Sequence, residues 1–133
     1  MTAALLLVVI FQAAALMVQG LLAGLALSGG SSALGLHMAV GTVSLLLAVL
    51  QVGAVLLLWR QGRGPLRLVA ANLLFLAGDG VQAVAGSAHL FALHLPLGVA
   101  LFGAAVALLI WSWELAWWNR VPSARRARAA IPG

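Results

Sequence analysis

The chain reads as an all-α integral membrane protein, an antiparallel four-helix bundle built from two pseudo-repeated helix pairs. Three observations predict this. Of the 133 residues, 65% are apolar and 7% charged, and the mean hydropathy is +1.17. Soluble domains carry about 25% charged residues, and disordered chains combine low hydrophobicity with high charge. Four apolar runs each exceed the roughly 20 helical residues that cross a bilayer. The basic residues, seven arginines and no lysine, gather at alternate ends of those runs.

The runs are residues 3–27, 33–59, 66–86 and 90–118, which make residues 1–120 one four-helix domain and 121–133 a basic tail. The first break, Ser28-Gly29-Gly30-Ser31-Ser32, is turn chemistry without charge. The second, Arg60-Gln61-Gly62-Arg63-Gly64-Pro65, is turn chemistry with arginines. The third, at Gly86-Ser87, is so short that the flanking helices must form a tight hairpin. Arg60, Arg63 and Arg67 lie at the second break, and Arg120, Arg125, Arg126 and Arg128 in the tail. By the positive-inside rule both termini and the middle loop are then cytoplasmic. All five tryptophans, Trp59, Trp111, Trp113, Trp117 and Trp118, fall at that same end, where interfacial anchors belong. Abundant Ala, Leu, Gly, Val and Arg without Lys or Tyr suggests a G+C-rich bacterial source, hence the bacterial inner membrane.

The polar residues inside the runs repeat. Gln12 and Gln19 are seven apart on the first run, and Asn72 and Asp79 are seven apart on the third, 60 residues later. His37 and Gly41 on the second run match His94 and Gly98 on the fourth, 57 residues later. Both histidines fall near the outer ends of helices that run the same way. Two imidazoles at equal depth then face each other across the core.

Ionisable residues inside a membrane are costly and mark function. A histidine near an interface also serves simply by bonding a backbone carbonyl. Two at matched depth in matched motifs point instead to a haem b held by bis-histidine ligation of its iron. Gly41 and Gly98, four residues after each histidine and so on the same helix face, would leave room for the porphyrin. Small residues Ser44, Ala48 and Ala105 continue those stripes. The same glycines have a plainer use, since small residues let membrane helices approach closely.

On these residues the chain resembles one four-helix half of haem A synthase, and more broadly the small membrane b-type cytochromes. The resemblance covers nearly the whole chain and rests on the four spans, His37, His94 and their separation. It implies haem binding by those two histidines. The synthase pattern also has a glutamate three residues before one histidine and an arginine just after it; here Leu34 and Met38 stand there, so haem modification is not implied.

His89, in or beside the outer loop, lies about 140° around the helix from His94 and belongs to another face. It is read as an interfacial residue, as a partner for a haem propionate, or as the third member of a His37, His89, His94 zinc or copper site. Asp79 is expected to be protonated or hydrogen-bonded, either to the free nitrogen of His94 or to Gln82 or Gln19. Gln12, Gln19, Gln51 and Asn72 are expected to join helices. Without cysteine there is no disulfide framework and no cysteine-ligated iron–sulfur cluster. The tail arginines lack stacking aromatics, so anionic lipid rather than nucleic acid is their expected partner. The composite expectation is an electron carrier or subunit rather than a stand-alone enzyme, exchanging electrons with quinol or a redox protein and free to oligomerise. Its rivals are a cofactor-free scaffold subunit and a small transporter protonated at Asp79.

Overall fold

The computed structural model describes residues 2–120; the basic tail lies outside them. Four helices fill that range: α1 (Thr2–Leu27), α2 (Ser31–Arg60), α3 (Leu66–Ser87) and α4 (Phe91–Arg120). Among the described residues there are no strands. All four helices are long and apolar enough to cross a membrane. Large apolar side chains such as Phe11, Leu74 and Val99 face outward along their length, as lipid-facing helices require. This is the pattern of a multi-pass membrane protein.

Each helix packs on the next in the chain, and α4 closes the ring on α1, so that α1 faces α3 and α2 faces α4 across the centre. Contacts between α1 and α2 run in opposite chain order: Gln12 meets Ser44 while Gln19, further along α1, meets His37, earlier on α2. The expected fourth span begins at Phe91 rather than Leu90 and runs on to Arg120. Leu90 is used instead to close the end of α3.

Three helices end the same way. The first residue beyond the cap takes a left-handed φ: +95° at Gly29, +65° at Gly62 and +58° at His89. The next amide then bonds back into the helix, Gly30 to Leu25 at 3.0 Å, Arg63 to Leu58 at 2.9 Å and Leu90 to Ala85 at 2.8 Å. This is the Schellman arrangement, which satisfies carbonyls the helix would otherwise leave open.

The core recurs between the halves. Buried Leu5, Val9, Gln12 and Leu16 on α1 match buried Leu68, Asn72, Phe75 and Asp79 on α3, 63 residues on. Buried Ser44, Ala48, Gln51 and Val55 on α2 match buried Leu101, Ala105, Leu108 and Ser112 on α4, 57 residues on. The seven-residue spacing of Ser44 and Gln51, or of Leu101 and Leu108, keeps one seam of each helix on the axis. Polar and apolar residues exchange places in that pattern: where one half puts Gln12 and Ser44, the other puts Phe75 and Leu101.

Candidate functional site: an imidazole pair at one end of the bundle

His37 on α2 and His94 on α4 come together across the centre of the bundle, with ring centroids 6.0 Å apart and planes at 71°. Each ring is tied to the helix that precedes its own. His37 Nδ1 lies 3.2 Å from the backbone oxygen of Gln19 on α1. His94 Nδ1 lies 3.0 Å from the backbone oxygen of Gln82 on α3. A carbonyl oxygen only accepts, so Nδ1 carries the hydrogen in both rings. In the neutral imidazole this leaves the lone pair on Nε2.

The two glutamines complete the pattern. Gln19 Nε2 donates to the His37 carbonyl at 2.9 Å, so these residues bond each other reciprocally, side chain to backbone in both directions. The missing side chain of Gly41 makes that reach feasible, since a Cβ there would stand 2.8 Å from Gln19 Nε2. In the other half a Cβ on Gly98 would stand 2.9 Å from Gln82 Nε2. The His-x-x-x-Gly motif therefore seats a glutamine carboxamide from the neighbouring helix. In this packing the space expected for a porphyrin edge over Gly41 and Gly98 holds those carboxamides. Both keep a buried Oε1 with no hydrogen-bond partner.

The residue that stands in the second half where Gln19 stands in the first is Gln82, not Asp79 as the 60-residue offset suggested. Asp79 lies on the same face of α3 three residues before Gln82. Its partner is also not His94: Ser44 Oγ of α2 donates to Asp79 Oδ2 at 3.1 Å, while His94 uses the Gln82 carbonyl. Ser44, read from sequence only as a small residue, in turn accepts from Gln12 Nε2 at 2.7 Å. Gln51 Nε2 donates to Gln12 Oε1 at 3.2 Å. Gln12, Gln19 and Gln51 thus do join helices. Asn72 does not, because its Nδ2 bonds Leu68 O on its own helix at 2.8 Å.

His89 is exposed, sits in the left-handed position of the α3–α4 turn and stacks edge-on against Phe91 with centroids 5.9 Å apart. Among the described residues no three of histidine, aspartate or glutamate group as a metal site, so the three-histidine zinc or copper cluster is not formed. Gly86 was missed by the sequence reading. A Cβ there would stand 2.8 Å from His94 Cε1 and 3.0 Å from its Nδ1, so its bare face is the bed on which the imidazole rests. The signal was present, since Gly86 continues the seven-residue stripe of Asn72 and Asp79.

Two imidazoles that share one metal ion at about 2.0–2.1 Å each have ring centres about 6–6.5 Å apart when both lone pairs face it; the centres here stand 6.0 Å apart. Ligating histidines also characteristically donate their second ring hydrogen to a carbonyl or carboxylate, as both do here. The carboxamides over Gly41 and Gly98 are the far ends of flexible side chains, but Gln19 Nε2 is held by the His37 carbonyl, so moving that one aside breaks a hydrogen bond. By donor chemistry the two imidazoles are ones that would hold a haem iron, while its macrocycle would need the room that the two carboxamides fill. No family model, curated protein or solved structure matches the chain.

Proposed function

We propose that the protein is a small membrane b-type cytochrome, binding one haem b between His37 and His94 and serving in electron transfer. The observation that carries this is the imidazole pair: two rings from facing helices, both fixed at Nδ1 by a carbonyl, with centres 6.0 Å apart. His37 and His94 would hold the haem iron, with Gly86 bedding the His94 ring and Gly41 and Gly98 giving room beside the pair once the glutamine carboxamides move. When bound, haem supplies a one-electron couple, and two protein ligands favour electron transfer over activation of oxygen. The protein's own part is to orient both imidazoles through their Nδ1 bonds to backbone carbonyls. Asp79 and His89 are not placed against the pair as ligands.

The recurrence of buried positions and of the glutamine–histidine–glycine group supports an origin by duplication of a helix pair, with antiparallel neighbours. Segregation of the arginines supports both termini in the cytoplasm of a bacterial inner membrane. Quinol or a redox protein would be the partner, and anionic lipid the partner of the basic tail.

Visible spectroscopy of the detergent-purified chain tests the proposal. The reduced protein is expected to show the sharp bands of a six-coordinate low-spin haem. His37→Ala and His94→Ala should each remove them or yield a five-coordinate form. Haem retained in full by the double variant, or absent from wild type expressed with ample haem, overturns it. One observation favours the rival reading, a cofactor-free scaffold subunit: the carboxamides already fill the space over Gly41 and Gly98. That reading expects no haem spectrum, and loss of packing when Gln19 and Gln82 are replaced.

A further inference from the structure

Asp79 is the single aspartate of the chain and lies buried in the middle of the bundle, 5% exposed. The hydrogen bonds that reach it have a fixed direction. Gln51 Nε2 donates to Gln12 Oε1, Gln12 Nε2 donates to Ser44 Oγ, and Ser44 Oγ donates to Asp79 Oδ2. An amide nitrogen cannot accept and a carbonyl cannot donate. Every hydrogen in the chain therefore points toward Asp79, and Oδ2 is held as an acceptor.

Gln82 follows Asp79 by three residues on the same helix face, and its Oε1 is buried without a donor. The backbone oxygen of that same residue accepts from His94 Nδ1. Among the described residues no cation is paired with Asp79. The titratable group on the inward face of α2 is His37 and that of α4 is His94, both toward one end. Arg60, Arg63, Arg67, Arg120 and Glu114 cluster at the other end, and α1 offers only glutamines. An ionised carboxylate without a counter-ion is costly in such surroundings.

We propose that Asp79 is a proton-binding site coupled to the imidazole pair through Gln82, with the bound proton on Oδ1 donated to Gln82 Oε1. Binding converts a carboxylate and one hydronium into a carboxylic acid and one water. Release reverses it and leaves the carboxylate on the Ser44 hydroxyl. The use made of the proton rests on the haem reading: it compensates the charge of an electron held between His37 and His94. The site itself does not depend on haem.

Infrared spectroscopy of the full chain in lipid vesicles, grown with ¹³C-aspartate, tests the site. At neutral pH the expected result is a protonated-carboxyl C=O band that shifts with the label and is missing from Asp79→Asn. Gln82→Leu should move that band by removing its acceptor, and alkali should convert it to carboxylate bands. Only carboxylate bands at neutral and mildly acidic pH would overturn the site, and an unmoved band in Gln82→Leu would overturn the coupling. The role has its own readout. In haem-loaded protein the midpoint potential should fall as pH rises, and this slope should flatten in Asp79→Asn; equal slopes overturn the role. If no haem binds, the haem reading and the role both fall, while the carboxyl band still decides whether Asp79 holds a proton.

Discussion

His89 takes the backbone conformation that two glycines take at equivalent helix ends. A left-handed φ costs an L-residue about 1–2 kcal/mol, although histidine tolerates it better than branched residues do. His89→Gly is expected to stabilise the protein by about 0.5–1 kcal/mol after glycine's extra chain entropy is charged against the gain. It should leave any haem spectrum intact; a thermal melt in detergent with parallel absorption checks both. Gly86 predicts the opposite. Gly86→Ala places a methyl against the His94 ring and should strip the Nδ1 bond to Gln82. Gly98→Ala meets only the end of a glutamine and should be milder. Haem occupancy in the two variants, or the histidine ring signals in NMR, ranks them; equal effects would remove the special place given to Gly86. The sequence showed the histidines plainly because they are rare and ionisable. It hid Gly86 because fifteen glycines in an apolar chain look alike until a ring is found lying on one of them.

At the scale of the element, the helices associate in lipid without a hydrophobic force between them, so packing and a few polar contacts decide the seams. Gln12 stands between Ser44 and Gln51 and so links α1 to α2 twice. Gln12→Leu should cost about 1–2 kcal/mol, near the upper end for a polar contact between membrane helices. Asn72 bonds its own helix and leaves its Oδ1 unpaired, so Asn72→Leu breaks no bond between helices and should cost less than Gln12→Leu. Unfolding of both variants in mixed micelles measures the contrast. The four elements were legible to within a few residues because long apolar runs and charged breaks announce themselves. The pairing of faces was less so. A 60-residue offset between α1 and α3 put Asp79 opposite Gln19, whereas the buried positions of those helices correspond at 63; for α2 and α4 the offset is 57 in sequence and in burial alike. The two candidates share one face of α3, so a pattern of polar residues alone could not choose between them; the hydrogen bond from His94 does.

At the scale of the whole molecule, one end of the bundle gathers the described arginines and the tryptophans and the other has neither. Arg67 lies 5.4 Å over the Trp111 ring, and Asn119 Nδ2 donates to the Arg63 carbonyl at 3.2 Å, so the α2–α3 turn is fastened to the last turn of α4. Cysteines placed at Ala88 and at Arg63 are expected to label from opposite faces of intact cells, Ala88 from outside. Labelling of both from the same face would reverse or refute the topology. The unequal offsets have a further result. His37 follows Gln19 by 18 residues, but His94 follows Gln82 by only 12. At 1.5 Å per residue, three extra residues on each of α1 and α2 lift that hairpin about 4.5 Å above its counterpart. The rim around the imidazole pair is therefore lopsided, a parapet on one side and a doorstep on the other. A flat ring approaching the bundle from this end would meet its lowest threshold at the α3–α4 turn, where His89 and Phe91 stand as the jambs.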